Sequence, residues 1–442
     1  MRTRRRAAAA LPLLVSLVLG TTSCGFLSDE VEPGAAETSA PGDPGAGSGD
    51  VRGDARPALL DDEARLTRAV RGLLRERAAA LRGADGGAVL AGVADDPDAQ
   101  RAQRVYADNV AALPVATFRY VTGDAVLSPD PAAGAEGEVR VGVDLRTRLR
   151  RLDTGAVSSP REMVLAVDGD DLRLVSDVPA LADPSAGGAQ PWDLGPVTTV
   201  TRGGVLGVFD AGAPDAAAVG EAVVDEAADA ADDVAAVVPY RWSGDVAVYG
   251  PSDTTLLRAL GGLPAGVADG LDGVAFGVRP ADGGPDVAER VLLHPRMLRA
   301  DEAERDRLLR HELTHVALSG RDDGVPRWLS EGLAEWVSVQ PLRADERLIS
   351  MAALRAARRG VETLPPDDSF STGARSGADY GIAWQACEEV AAVYGEDALW
   401  TLLEAMGARG DRSPEAVLET VLGTTGDDLA AQASDRIVSA YG

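Results

Sequence analysis

The chain has 442 residues, which is enough for roughly two or three domains with separate hydrophobic cores. Aromatic residues make up only 4 % of it, so its cores must be built mainly from Ala, Val and Leu. The formal net charge is −27 at pH 7; a surface this acidic disfavours binding to nucleic acid. We therefore expect no nucleic-acid partner.

The N-terminal residues have the pattern of an export signal. Four arginines among the first six residues precede an apolar stretch over 7–19, which is too short to span a membrane but suits a signal peptide. Ser23-Cys24-Gly25 follows and resembles the lipobox of bacterial lipoproteins, although Thr21 replaces the usual Leu, Val or Ile. The resemblance implies a lipoprotein signal peptide over 1–24 and a lipid on Cys24. The exported chain would then be anchored on the outer face of the cell membrane; the alternative is ordinary cleavage with Cys24 unmodified.

Residues 25–57 are rich in Gly, Ala, Pro, Asp and Ser, and such a stretch buries too little apolar surface to order itself. We interpret it as a flexible linker. The only other cysteine, Cys387, lies in an apolar helical stretch, so we expect a small buried residue and no disulfide.

The segment 58–182 combines helical and alternating patterns. An apolar stripe predicts a helix over 59–81, and a second helix is predicted over 99–112. Period-two alternation predicts strands over 115–121, 139–145 and 163–175, the last folded into a hairpin at Asp168-Gly169-Asp170. This order of elements resembles the nuclear-transport-factor-2-like fold, which implies an α+β accessory domain.

A Pro/Gly-rich boundary over 180–196 leads into a second domain, which we place at 190–442. The patterns there predict one strand over 197–209, an Ala-rich helix over 213–237, strands over 245–249, 273–278 and 291–294, and a helix over 301–319. The rest of the chain is predicted to be almost entirely helical, with Ser413-Pro414 capping one helix. A small sheet before a helical half favours an α+β fold.

The helix predicted over 301–319 contains His311-Glu312-Leu313-Thr314-His315. Two histidines four apart lie on one helix face, so both rings can bind one ion at about 2.0–2.1 Å. Glu312 lies beside that ion and can accept a proton from water as a general base. The chain has only three histidines, and this spacing arises by chance on the order of once in a thousand. An amphipathic core helix would explain the leucines around the motif but not the histidines.

A third ligand is expected downstream, where the chain reads Trp328-Leu329-Ser330-Glu331-Gly332-Leu333-Ala334. This stretch resembles the Trp-Leu-x-Glu-Gly-x-Ala stretch of gluzincin metallopeptidases, and the short connection from His315 resembles the compact bacterial peptidase MA-like group. The resemblance implies a zincin-type domain that binds one Zn²⁺ through His311, His315 and Glu331. Glu335, one turn further, could accept the free N–H of a ligating histidine; the alternative is an exposed helix charge.

Peptide hydrolysis also needs a donor for the developing oxyanion. The gluzincin resemblance implies Tyr380, which we expect to open a helix and to face the metal. His294, the remaining histidine, is the alternative donor, although its place at a strand end before Pro295 favours a structural role.

These patterns favour a membrane-anchored zinc endopeptidase that acts on peptides or proteins outside the cell. The strand at 273–277 lacks the acidic residue that exopeptidases of this kind use, and its edge could pair with an extended peptide. Two alternatives stay open: a zinc-binding adaptor with little turnover, and a hydrolase of another bond. The intact Glu312 argues against the adaptor.

Overall fold

The computed structural model of the chain describes residues 58–122, 127–128, 137–261, 263, 267–280, 283–370 and 376–442. The predicted signal peptide, Cys24 and the linker 25–57 lie outside these residues. The described part has an α+β fold with two five-stranded sheets. No helix in the described ranges is long and apolar enough to cross a membrane.

The first sheet lies in the N-terminal part and is covered by helices. The elements are α1 (Glu63–Arg82), α2 (Gly86–Ala91), α3 (Pro97–Ala112), β1 (Val115–Val121), β2 (Leu127–Ser128), β3 (Glu138–Leu149), β4 (Val157–Asp168) and β5 (Asp171–Pro179). The strands pair antiparallel in the order β1-β3-β4-β5, with β2 also on β3. The predicted helices, strands and Gly169 hairpin are confirmed, while β3 and β4 are longer than expected and α2 and β2 were not predicted.

The second sheet follows a short helix α4 (Pro191–Leu194) and belongs to the C-terminal part. Its elements are β6 (Val197–Arg202), β7 (Val205–Asp210), α5 (Ala216–Val237), β8 (Val246–Gly250), α6 (Thr255–Ala259), β9 (Gly273–Val278) and β10 (Ala288–Leu293). The order β6-β7-β8-β10-β9 places β9 at an edge, antiparallel to β10. The prediction of one strand over 197–209 is wrong: Gly203, at φ 58°, turns the chain into the β6–β7 hairpin.

The remaining elements are helices, as predicted. They are α7 (Glu302–Leu318), α8 (Arg327–Ser338), α9 (Met351–Arg359), α10 (Ser376–Tyr394), α11 (Glu396–Gly407), α12 (Pro414–Leu422) and α13 (Gly426–Tyr441). Ser413 caps α12 by accepting a hydrogen bond from the backbone N–H of Ala416. Cys387 is fully buried on α10, as expected.

The two faces of the second sheet are covered differently. On one face, α5 and α7 share a hydrophobic cluster with α8, α10 and α11. On the other, Leu206, Tyr249 and Leu292 share a cluster with Tyr106 of α3 and Trp192 of α4. The N-terminal part therefore supplies one side of the core on which the second sheet rests.

Candidate metal centre

Helix α7 carries the first half of the site through the interior of the C-terminal part. Asp301 caps its N-terminus by accepting a hydrogen bond from the N–H of Glu304. Every residue from Leu308 to Leu318 is buried. Neighbouring elements therefore enclose this half of the helix on all its faces. It is within this enclosed half that the two histidines lie.

His311, His315 and Glu331 come together as one buried group that can hold a metal ion. The Nε2 atoms of the histidines are 3.3 Å apart, and Glu331 Oε2 lies 3.4 Å from Nε2 of His311 and 3.6 Å from Nε2 of His315. Two atoms bound to one ion at about 2.0–2.1 Å and the tetrahedral angle stand about 3.3 Å apart. The three side chains are thus already at the separation that a four-coordinate ion requires.

The carboxylate of Glu331 is a second indication that the site suits a cation. The side chain is fully buried, and neither of its oxygens has a hydrogen-bond partner within the described part of the chain. A buried carboxylate without hydrogen bonds is costly unless cationic groups compensate it; Arg327 Nη2 stands 3.6 Å from Oε1, and Oε2 faces the two histidines. The residues present therefore fit a metal ion.

The buried acidic groups also determine how the two histidines are protonated when no metal is bound. Burial lowers the pKa of both histidines, but Glu331 and Glu335 raise that of His311 to about 10, and Asp322 and Glu331 raise that of His315 to about 9. Burial raises the pKa of Glu331, but the two rings lower it to about 2. The anionic groups thus hold protons on the rings that a metal ion would displace.

Glu335 lies behind His311, one turn after Glu331 on α8. Its Oε1 is 3.1 Å from Nδ1 of His311, and Arg307 Nη2 donates to its Oε2 over 2.6 Å. Because Glu335 is only 3 % exposed, the alternative of an exposed helix charge is wrong. The carboxylate therefore lies where carboxylates behind ligating histidines lie.

Asp322 has the corresponding place behind His315 and was not predicted. Its Oδ2 is 3.2 Å from Nδ1 of His315 and accepts a hydrogen bond of 2.9 Å from Ser330 Oγ. The residue lies in the connection between α7 and α8, seven positions after His315, where no helical period relates the two. Asp322 lies close to His315 because of the path of the loop between the helices, and residue spacing alone does not predict that path.

Glu312 lies between the ligand helix and the edge strand β9. It is fully buried, and its Oε2 accepts a hydrogen bond of 2.8 Å from the backbone N–H of Ala275. A Cβ added to Gly273 would stand 3.3 Å from Glu312 Oε1, so this glycine lets the strand approach the carboxylate. The candidate general base is thus held at the strand edge.

Tyr380 is also brought to the ligands, but from the second turn of α10 and not from the helix start that we expected. Its ring centroid is 6.2 Å from that of His311 and 5.2 Å from that of Phe370. Burial, and then the charge of Glu331, raise the pKa of its hydroxyl well above the usual value, so the group stays protonated. His294 lies apart, where its Nδ1 accepts from the N–H of Arg296 over 3.1 Å.

A cavity of about 180 Å³ adjoins the ligand His315. The edge strand lines one side of it through Ala275–Gly277, and carboxylates of the β9–β10 and α7–α8 connections line the other. Among the described residues this cavity borders both the edge strand and His315, one of the three residues that can hold a metal ion.

The sequence was also compared with known proteins. No family model matches the chain, and no curated protein is significantly similar to it.

Proposed function

We propose that the chain is a zinc-dependent peptidase of the gluzincin type, with its catalytic, zincin-type domain in residues 190–442. The observation that carries the proposal is the buried group of His311, His315 and Glu331, whose ligand atoms stand 3.3–3.6 Å apart beside Glu312. The edge strand β9 runs past this group and offers backbone groups to an extended peptide.

Zinc is the metal that this donor set suits best. Two imidazole nitrogens and one carboxylate leave one position open, which is typical of catalytic zinc sites. When bound, the ion would supply a Lewis acid and lower the pKa of a water molecule.

The chain's own groups have separate roles in the proposed reaction. Glu312 takes a proton from the attacking water and passes it to the leaving amine. The protonated hydroxyl of Tyr380 donates a hydrogen bond to the oxyanion that develops on the peptide carbonyl. The edge of β9 aligns the substrate main chain, which favours cleavage within a peptide over removal of terminal residues.

One observation favours a second candidate function. Glu312 and Glu331 are both fully buried, as in a protein that binds metal without admitting substrate. The alternative is therefore a zinc-binding adaptor with little or no turnover.

Substitution of the general base distinguishes the two candidates. Purified wild type is expected to contain one zinc ion per chain and to cleave peptides from a mixed library, whereas Glu312→Gln keeps the zinc and loses cleavage. Glu302→Gln is the matched control, because Glu302 is an exposed acid on the same helix. Glu331→Ala should lose zinc under mild chelation. Zinc in the wild type without cleavage of any peptide would favour the adaptor.

The remaining proposals concern the N-terminal residues. We propose that 58–182 form a nuclear-transport-factor-2-like accessory domain and that a lipid on Cys24 anchors the exported chain. Membrane fractionation of wild type and Cys24→Ala tests the anchor: only the variant should be released into the medium. Equal release of both would contradict it.

A further inference from the structure

The tight loop between α7 and α8, the helices that carry the candidate ligands, contains a buried carboxylate. Ser319 at φ 33°, Gly320 at φ 74° and Gly324 at φ 69° adopt left-handed conformations that turn the chain sharply. Asp322, between them, is only 7 % exposed. A buried carboxylate needs strong partners to offset its loss of hydration, and those partners are on both ligand helices.

The first partner is His315 on α7. Its Nδ1 lies 3.2 Å from Oδ2 of Asp322, and its Nε2 lies 3.3 Å from Nε2 of His311. A ring that donates through Nδ1–H to a carboxylate presents the lone pair of Nε2 on its opposite side. When a metal ion is bound, Asp322 therefore favours the tautomer and the rotation that direct Nε2 of His315 towards Nε2 of His311 and Glu331.

The second partner is Ser330 on α8, which immediately precedes Glu331. Its hydroxyl donates to the same Oδ2 over 2.9 Å. One oxygen of Asp322 thus bonds to a ligand on α7 and to the neighbour of a ligand on α8.

The loop is also held from outside the site. The guanidinium of Arg321 lies 4.5 Å from the ring centroid of Tyr240, and Arg409 donates to the carbonyl of Gly324. These contacts hold the loop without involving His315 or Glu331. Asp322 therefore has a defined position from which it can orient both residues.

We propose that Asp322 is a positioning residue that sets the relative placement of the two ligand helices: it orients His315 directly and Glu331 through Ser330. The inference rests on the proposed function only as far as metal binding, and it does not require peptidase turnover.

The test compares metal binding in Asp322→Ala, Asp322→Asn and Ser330→Ala with that in the wild type. Glu302→Gln is the matched control, since Glu302 is an exposed acid on the same helix as His315 but lies outside the cavity that adjoins it. Zinc affinity is measured by competition with a chelator, ligand geometry by the visible spectrum of the cobalt(II)-loaded protein, and folding by thermal unfolding of the metal-free protein.

Asp322→Ala is expected to weaken zinc binding by about 10–100-fold, as loss of partners behind metal ligands does, and to change the cobalt spectrum. Asp322→Asn should have a smaller effect, because its amide oxygen still accepts a hydrogen bond but carries no charge. Ser330→Ala should also weaken binding and change the spectrum, whereas Glu302→Gln should leave both unchanged.

Zinc affinity of Asp322→Ala within threefold of wild type would overturn the inference. So would an unchanged cobalt spectrum with weaker binding and a matching loss of metal-free stability, which indicates a purely structural role. If Asp322→Ala does not fold, wild-type affinity and spectrum in both Asp322→Asn and Ser330→Ala overturn it. A wild-type chain that binds no metal contradicts the proposed function itself, whereas zinc binding without cleavage leaves the inference intact.

Discussion

Tyr380 is the side chain whose proposed role depends most on chemistry that appears only during the reaction. An oxyanion donor acts on charge that exists in the transition state, so its loss lowers kcat without raising KM. Tyr380→Phe keeps the buried ring beside His311 and removes only the hydroxyl. We expect kcat to fall by about a hundred- to a thousandfold, as for other oxyanion donors, with zinc content unchanged.

The measurement is steady-state kinetics on a cleaved peptide, with zinc analysis of the same samples. Turnover within threefold of wild type would remove Tyr380 from the mechanism. His294→Gln is the control, because His294 lies apart from the ligands and its loss should leave kcat unchanged.

The histidine protons give a prediction about pH. The pKa of His311 is raised to about 10 and that of His315 to about 9, so at pH 7 the pair of rings holds protons that a metal ion must displace. Zinc binding at pH 7 should therefore release protons from the pair of rings. Calorimetric titrations in buffers of different ionisation enthalpy measure the number of protons released. Release of no protons would show that the rings are neutral before the metal binds.

The same raised pKa values set the pH dependence of metal-free stability. A group with a raised pKa contributes stability that is complete below its unfolded value of about 6.5 and is lost as the pH rises through the folded value. The unfolding temperature of the metal-free protein should thus fall between about pH 6.5 and pH 10. It should fall less in the His311→Gln/His315→Gln double variant. Equal slopes in the two proteins would contradict this origin.

At the scale of elements, the packing of α8 on α10 explains why a glycine, Gly332, follows Glu331. A Cβ at this position of α8 would stand 2.5 Å from the carbonyl oxygen of Ala383 and 2.8 Å from Cys387 Sγ on α10. The two helices reach their close packing only because this position has no side chain. Gly332→Ala must push α8 away from α10 and move Glu331, the adjacent residue, with it.

We expect Gly332→Ala to destabilise the protein by about 1–3 kcal/mol, as overpacking does, and to weaken zinc binding. Gly72→Ala is the matched control: Gly72 also lies inside a helix, but an added Cβ meets nothing within 4 Å, so alanine should stabilise by roughly 0.5–1 kcal/mol. Chemical unfolding and chelator competition measure the two effects. Wild-type zinc affinity in Gly332→Ala would show that the helix spacing does not control the ligand.

Local patterns predicted most of these elements, because helices and strands follow from periodicity and from residues such as Gly169 and Ser413. The α5 and β9 predictions are close to the observed bounds, whereas the β6–β7 hairpin was missed because the predicted single strand ran through the turn at Gly203-Gly204. The pairing of His311 with His315 was predicted because they lie four residues apart on one helix, whereas Glu331 was implied by the resemblance of its stretch to the gluzincins. Asp322 was not predicted, since its contact with His315 depends on the path of a loop.

At the scale of the whole molecule, the sequence predicted two domains but not the surface between them. Tyr106 and Trp192 share one hydrophobic cluster with Tyr249, and these residues are far apart in the chain. Such long-range packing leaves no periodic trace in the sequence. The N-terminal part contacts the sheet face opposite to α7, so it supports the metal centre without entering it.

A buried ion pair joins the two parts at this surface. Arg290 Nη2 on β10 lies 2.6 Å from Asp153 Oδ1 in the connection between β3 and β4, and their side chains are 3 % and 1 % exposed. Removing one partner leaves a buried charge without compensation, which typically costs about 3–5 kcal/mol. We therefore expect Asp153→Ala to destabilise the whole chain in one cooperative transition, because both sheets share the core that the pair crosses.

The control is a second ion pair across the same surface. Arg151 pairs with Asp245 over 2.8 Å, but its side chain is 67 % exposed, so Arg151→Gln should cost less than about 1 kcal/mol. Urea unfolding followed by fluorescence and by circular dichroism measures both variants. If the two parts fold independently, the probes will show separate transitions and Asp153→Ala will shift only one of them. If they form one unit, as the shared core implies, both probes will shift together, and the metal centre will depend on residues that lie on the other side of the sheet.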